Sequence, residues 1–101
     1  MHDIFITYHQ PTDTTAFDQH YADVHVPLCR ELPDLVEFTW GRTGSTAQDE
    51  PYLIARLTYA DATSAAASLE SEPGKASVVD LEAFATGGVT IAAATRDGRI
   101  P

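Results

Sequence analysis

The chain has little of several things that particular functions require. It has one cysteine, Cys29, in 101 residues, so neither an intramolecular disulfide nor a cysteine-pair site can form. Six lysines and arginines stand against 15 aspartates and glutamates, a formal net charge of −9. We therefore expect neither nucleic acid nor an anionic membrane surface as a partner. No run of apolar residues approaches the ~20 that a membrane-spanning helix needs. The first ten residues lack a signal-peptide pattern, so a cytoplasmic location is expected.

Cofactor motifs are also missing. The six glycines are scattered, and no glycine-rich phosphate loop can be assembled from them. His20 and His25 fall in one predicted helix but are five residues apart, whereas two imidazoles on one face of an α-helix are four apart. We therefore expect no dedicated metal site and no nucleotide or flavin cofactor.

What is present is an alternation of strand and helix patterns. β-Branched and aromatic residues predict strands at 3–8, 35–42, 52–59 and 89–95. Helical periodicity predicts helices from about 14 to 32, from 62 to 69 and from 73 to 84, the last two separated by a break. The order β-α-β-β-α-β is typical of an α+β, ferredoxin-like fold with one antiparallel four-stranded sheet, in one domain over residues 1–101.

The third and fourth strands are apolar on both faces. In the third strand Ile54 points one way while Leu53, Ala55 and Leu57 point the other, and the fourth strand, VTIAAAT, is almost wholly apolar. Sheets with one wet face alternate more cleanly. The sheet face without helices is therefore expected to pack against a second copy of the chain, giving a homodimer.

The longest helical pattern, Phe17 to Pro33, carries the chemistry. Its apolar stripe consists of Phe17, Tyr21, Val24, Leu28 and Leu32. His25 lies on that stripe, two residues before Pro27, which removes a backbone donor and predicts a kink or a break beside the histidine.

His25 is the candidate catalytic residue, because an imidazole can act as acid or base near neutrality. The alternative is a structural histidine that satisfies a backbone group freed by Pro27. A cavity between helix and sheet, bounded by Tyr21, Phe38 and Trp40, is expected to receive the ring. The candidate substrate-binding residues share aromatic side chains that could wall a small hydrophobic ligand, or simply form core: Tyr21, Phe38, Trp40, Phe17 and Tyr8.

Together these features resemble the EthD-like family of the dimeric α+β barrel superfamily. The residues that carry the resemblance are Pro11, Asp13, Phe17, Tyr21, His25, Pro27, Leu28, Leu32-Pro33, Pro51-Tyr52, Asp80 and Phe84. The chain departs from the family pattern at Asp34, where the family usually has glycine. The resemblance implies a ferredoxin-like dimer with a cavity between sheet and helices.

Two functions fit these expectations. One is a cofactor-independent enzyme that acts on a small hydrophobic molecule of aromatic, lactone or polyketide type. It would be a cyclase, isomerase or oxygenase with His25 transferring protons. The other is a non-catalytic binding or accessory protein of a catabolic or biosynthetic pathway. Haem handling on the same fold is a weaker interpretation, because few cationic residues are available for propionates.

Overall fold

The computed structural model describes residues 1–101 and contains one antiparallel sheet with all helices on one face. The strands are β1 (His2–His9), β2 (Glu37–Arg42), β3 (Pro51–Tyr59) and β4 (Val89–Thr95). They lie in the order β2-β3-β1-β4, and every neighbouring pair is antiparallel. This is the ferredoxin-like arrangement that the sequence predicts.

The helices form two groups. The first comprises α1 (Thr14–His20), a π-helical turn (Tyr21–His25) and α2 (Val26–Arg30), and the second comprises α3 (Ala62–Glu70) and α4 (Glu72–Phe84). Asp13, Asp61 and Ser71 cap α1, α3 and α4, because each side-chain oxygen accepts a hydrogen bond from a first-turn backbone N–H. None of these helices has the length and apolarity needed to cross a membrane.

The core lies between the sheet and the helices in two adjoining clusters. An aromatic cluster is formed by Tyr8, Phe17, Tyr21, Val26, Leu53, Ala55 and Phe84. A mainly aliphatic cluster is formed by Ile4, Cys29, Leu32, Leu57, Tyr59 and Ala65. Alternate residues of β1 and β3 supply the sheet side of both clusters, as expected for strands with one face against helices.

The predicted start of the second strand at residue 35 is wrong, since β2 begins at Glu37. Asp34 has a φ of 61° and forms a turn with Pro33, after which Leu35 and Val36 continue as irregular backbone before the strand. Val36 donates its backbone N–H to Thr58 O at 2.8 Å, but its side chain is 53% exposed. The apolar pair therefore leads the chain into the sheet without extending the strand.

The helix-free sheet face is mixed in character. Phe5 and Ile54 expose 39% and 42% of their surfaces there. Beside them Asp3 accepts hydrogen bonds from Arg96 at 2.8 and 3.0 Å, and this ion pair lowers the pKa of Asp3 to about 2. Arg56 lies directly opposite Phe5 in the register and 3.8 Å from Glu37, so the middle of the face combines apolar side chains with charged groups paired within the chain.

Candidate functional site

The site begins with the backbone irregularity predicted beside His25. Pro27 has no N–H, and the chain responds with a π-helical turn in which Val26 donates its N–H to Tyr21 O, five residues back. The extra residue in that turn moves the buried stripe. His25, Val26 and Cys29 are buried, whereas Val24, placed on the stripe by α-helical spacing, is 40% exposed. The prediction that Val24 belongs to the buried stripe is therefore wrong, because the π-helical turn changes the spacing.

The same turn brings two histidines onto one carboxylate. His20 Nε2 lies 2.9 Å from Asp80 Oδ1, and His25 Nδ1 lies 3.0 Å from Asp80 Oδ2. The expectation that a spacing of five keeps His20 and His25 apart is wrong, because it assumes regular α-helix. No group of three or more His, Cys, Asp or Glu side chains is arranged to hold a metal ion.

The hydrogen bonds assign the two nitrogens of His25. A carboxylate only accepts, so Nδ1 carries the proton and donates to Asp80, which leaves Nε2 with its lone pair. The Tyr8 hydroxyl lies 3.4 Å from Nε2, at the long limit of a hydrogen bond. Burial lowers the pKa of His25, although Asp80 opposes the effect. The resting side chain is therefore a neutral imidazole held in one tautomer by a carboxylate, as in catalytic Asp–His pairs.

His25 lines a cavity of about 410 Å³, including its open part, between the sheet and α4. The other lining residues are Ile4, Ile6, Cys29, Leu57, Leu69, Ser77, Val78, Leu81 and Ile91. Val78 and Ile91 are half exposed and mark the open side. Burial raises the pKa of Cys29 to about 12, so its thiol stays protonated and packs as an apolar group.

The cavity expected to join His25 with Tyr21, Phe38 and Trp40 is not formed. Tyr21 and Trp40 line a separate recess of about 310 Å³, including its open part, beside Asp18 and Arg42. Phe38 is half-buried and packs against both core clusters. Strand β2 lies at the sheet edge farthest from β4, so its aromatic residues cannot reach the open side of the His25 cavity.

The remaining candidate aromatics are core residues. Phe17 is 2% exposed and stacks on Tyr21, with ring centroids 5.8 Å apart. Tyr8 is fully buried and reaches His25 through its hydroxyl. The Tyr21 ring centroid is 5.5 Å from that of His25, but the Tyr21 hydroxyl is buried without a hydrogen-bond partner.

Sequence reasoning misses two residues of the site, Asp80 and Ser77, as functional groups. Asp80 stands in the sequence only as part of the family resemblance, and its contact with His25 spans 55 residues. A signal is nevertheless present, because Ser77, Leu81 and Phe84 follow helical spacing and Asp80 lies beside that face. Acidic side chains at the border of a buried helical face are found paired with a hydrogen-bond donor or a cation.

A family model described as the EthD domain matches residues 9–88 of the chain. The chain belongs to the EthD family. One EthD relative, described as an uncharacterized 11.0 kDa protein in the thcB-thcC intergenic region of Rhodococcus erythropolis, is 34% identical over 93 residues and covers 90% of each chain. The crystal structure of an EthD (ethyl tert-butyl ether D) family protein from Bacillus halodurans is 33% identical. It has a TM-score of 0.86 and covers 95% of this chain and 98% of that one.

The same fold occurs in more distant proteins. SnoaB, a cofactor-independent oxygenase from Streptomyces nogalater, has a TM-score of 0.72 at 14% identity, covering 99% of this chain and 96% of that one. This likeness concerns the fold alone. The EthD match spans every residue that carries the resemblance, from Pro11 to Phe84. At the departure from the EthD pattern, Asp34 adopts the left-handed backbone that glycine favours.

Proposed function

We propose that this EthD protein is a cofactor-independent enzyme in which His25 is the general base for a small hydrophobic substrate. The observation that carries the proposal is the pairing of His25 Nδ1 with Asp80 at 3.0 Å on the wall of an apolar cavity. A histidine needed only to satisfy the backbone at Pro27 would not require a carboxylate partner, whereas both ring nitrogens of His25 face side chains, Asp80 and Tyr8. The pairing instead supports a ring prepared to accept a proton.

The proposed step is proton abstraction. His25 Nε2 takes a proton from an O–H, or from a C–H next to a carbonyl, and the electron pair stays on the substrate as an enolate or alkoxide. Asp80 stabilises the imidazolium that forms. In an isomerisation or cyclisation the proton returns at another atom, so His25 ends neutral. An oxygenase reaction would require O₂ as co-substrate, which would react with the substrate carbanion.

The alternative is a non-catalytic binding or accessory protein that uses the same cavity. The long Tyr8–His25 contact favours it, since Tyr8 already faces the nitrogen that a substrate would need. Under this alternative His25 and Asp80 hold the first helical group against α4, and their loss changes stability alone.

Deuterium exchange tests the proposal with a panel of compounds that share an acidic carbon. Enolisable lactones, ketones and aromatic polyketides are incubated with the protein in D₂O, and exchange at that carbon is followed by proton NMR. We expect His25→Gln to lose about 10²–10⁴ in exchange rate, the usual scale for general acid–base catalysis, while it remains folded.

His9→Gln is the matched control, because His9 bonds Thr90 and does not line the His25 cavity. Exchange at the wild-type rate in a folded His25→Gln protein would remove His25 from the mechanism. Melting temperatures of all three proteins, measured by circular dichroism, separate lost chemistry from lost fold.

We further propose a homodimer built on the helix-free sheet face. Phe5 and Ile54 are exposed at its centre, and Asp3 is already paired within the chain, so burial leaves that carboxylate satisfied. Arg56 lies opposite Phe5 with Glu37 at 3.8 Å, and its Nε has no hydrogen-bond partner in the chain, so an acceptor from the second copy would complete it. A stable interface should bury at least ~1,000 Å² in total. Light scattering should give the mass of two chains for the wild type and of one chain for Ile54→Asp. A monomeric wild type at micromolar concentration would refute the dimer. The cytoplasmic location stays a prediction.

A further inference from the structure

The cavity beside His25 has a restricted set of polar groups. Eight of its ten lining residues are hydrophobic, and the other two are His25 and Ser77. No lysine or arginine lines it. The hydrogen-bond donors and acceptors that these two side chains present therefore determine which ligands can bind.

Ser77 offers only acceptor capacity. It lies on α4 and is 6% exposed. Its hydroxyl donates to Gly74 O at 2.8 Å, a bond within its own helix. A serine hydroxyl has one hydrogen and two lone pairs, so the hydrogen is already used and the lone pairs remain.

His25 is restricted in the same way. Its one proton, on Nδ1, goes to Asp80, and Nε2 can only accept. The negative charge of Asp80 also lies directly behind the ring, at 3.0 Å from Nδ1. A ligand carboxylate in this cavity would find no free side-chain donor and no cation, and the Asp80 carboxylate lies close behind the His25 ring.

We infer that the cavity selects an uncharged ligand with an apolar body and a hydroxyl group, of the alcohol, phenol or enol class. Ser77 is the residue that determines this specificity, by accepting the ligand hydroxyl. The inference rests on the proposed function, because a hydroxyl held at Ser77 places the apolar body of the substrate along the wall that His25 shares. A ketone has no O–H to donate to Ser77 Oγ, so this hydrogen bond is lost. A carboxylate would be buried with its charge unpaired.

A ligand series with one carbon skeleton tests this. Cyclohexanol, cyclohexanone and cyclohexanecarboxylate are titrated into ¹⁵N-labelled protein, and amide shifts along α4 are followed by NMR. We expect cyclohexanone to bind about 3–10-fold more weakly than cyclohexanol, the usual effect of one neutral hydrogen bond. The carboxylate should bind at least ~30-fold more weakly, because no cation compensates its burial.

Two serine variants identify the acceptor. Ser77→Ala should weaken cyclohexanol binding about 3–10-fold and leave cyclohexanone within about twofold. Ser68→Ala is the matched control, since Ser68 is also buried but bonds Tyr59 and does not line the cavity. It should leave both affinities unchanged, even where its melting temperature falls.

Any of three results would overturn the inference. The ketone or the carboxylate could bind as tightly as the alcohol, or the affinity for the alcohol could be unchanged in Ser77→Ala. The third is that no ligand shifts the α4 amides up to its solubility limit. The titrations measure affinity and not turnover, so they test the inference even where His25 has no catalytic role. Conversely, exchange activity with the wrong ligand order would refute the specificity and spare the proposed general base.

Discussion

Replacing Asp80 with asparagine tests the central arrangement most directly. The change keeps the shape of the side chain and removes the charge that both histidines contact. Hydrogen bonds to a charged group contribute about 1.5–3 kcal/mol each when buried, and exposed pairs contribute about 1 kcal/mol or less. The His25 bond is of the first kind, because His25 is 3% exposed, and the His20 bond is closer to the second, with His20 at 28%.

The free energy of unfolding of Asp80→Asn should therefore fall by about 2–3 kcal/mol, part of each bond being kept by the amide. For a domain of this size that is a drop of roughly 10–20 °C in melting temperature. Urea unfolding followed by circular dichroism measures it. Comparison with His20→Gln and the double variant apportions the loss between the two histidines.

The same substitution should also weaken His25 as a base. An amide has one oxygen and one NH₂, so it cannot accept from both rings as the carboxylate does. With the NH₂ toward Nδ1 the ring proton moves to Nε2, and with the oxygen toward Nδ1 the imidazolium loses the negative charge that stabilises it. Exchange activity should fall about 10²–10⁴-fold in either case, and ring ¹⁵N shifts tell which tautomer is present. An Asp80→Asn protein with wild-type stability and a wild-type exchange rate would refute the assignment.

Three further predictions concern single groups. Burial lowers the pKa of His25 below its ordinary 6.5, so as the pH falls His25 is protonated in the unfolded chain before it is protonated in the folded chain. Stability should thus be complete above pH 6.5 and fall as the pH drops below it, and a His25→Gln protein that kept this slope in urea titrations would contradict the assignment. Asp34 has a φ of 61°, so Asp34→Gly should raise the free energy of unfolding by up to about 1 kcal/mol and Asp34→Ala should lower it by a similar amount. Equal melting temperatures of the two variants and the wild type would argue against strain at this position. Tyr21→Phe removes a buried hydroxyl without a partner, so chemical unfolding should show unchanged stability or a gain of about 1 kcal/mol, and a clear loss would reveal an unrecognised partner.

The order of strands and helices could be read from the sequence because it depends on local patterns. Alternation in 3–8 and 52–59, the caps at Asp13 and Asp61, and the break before α4 all act within a few residues of their own position. The EthD resemblance rests on such local residues as well. The helix irregularity beside His25 was predictable for the same reason, since Pro27 removes a backbone donor wherever the helix lies.

The content of the site was decided by tertiary structure. The π-helical turn shifts the register by one residue, which turns His20 and His25 toward one carboxylate and Val24 outward. Asp80 reaches His25 across 55 residues, a contact that no local pattern encodes. The sheet order separates β2 from β4, so Trp40 and His25 fall in different recesses. Local sequence therefore determines which elements form, whereas packing between distant elements decides which side chains share a cavity.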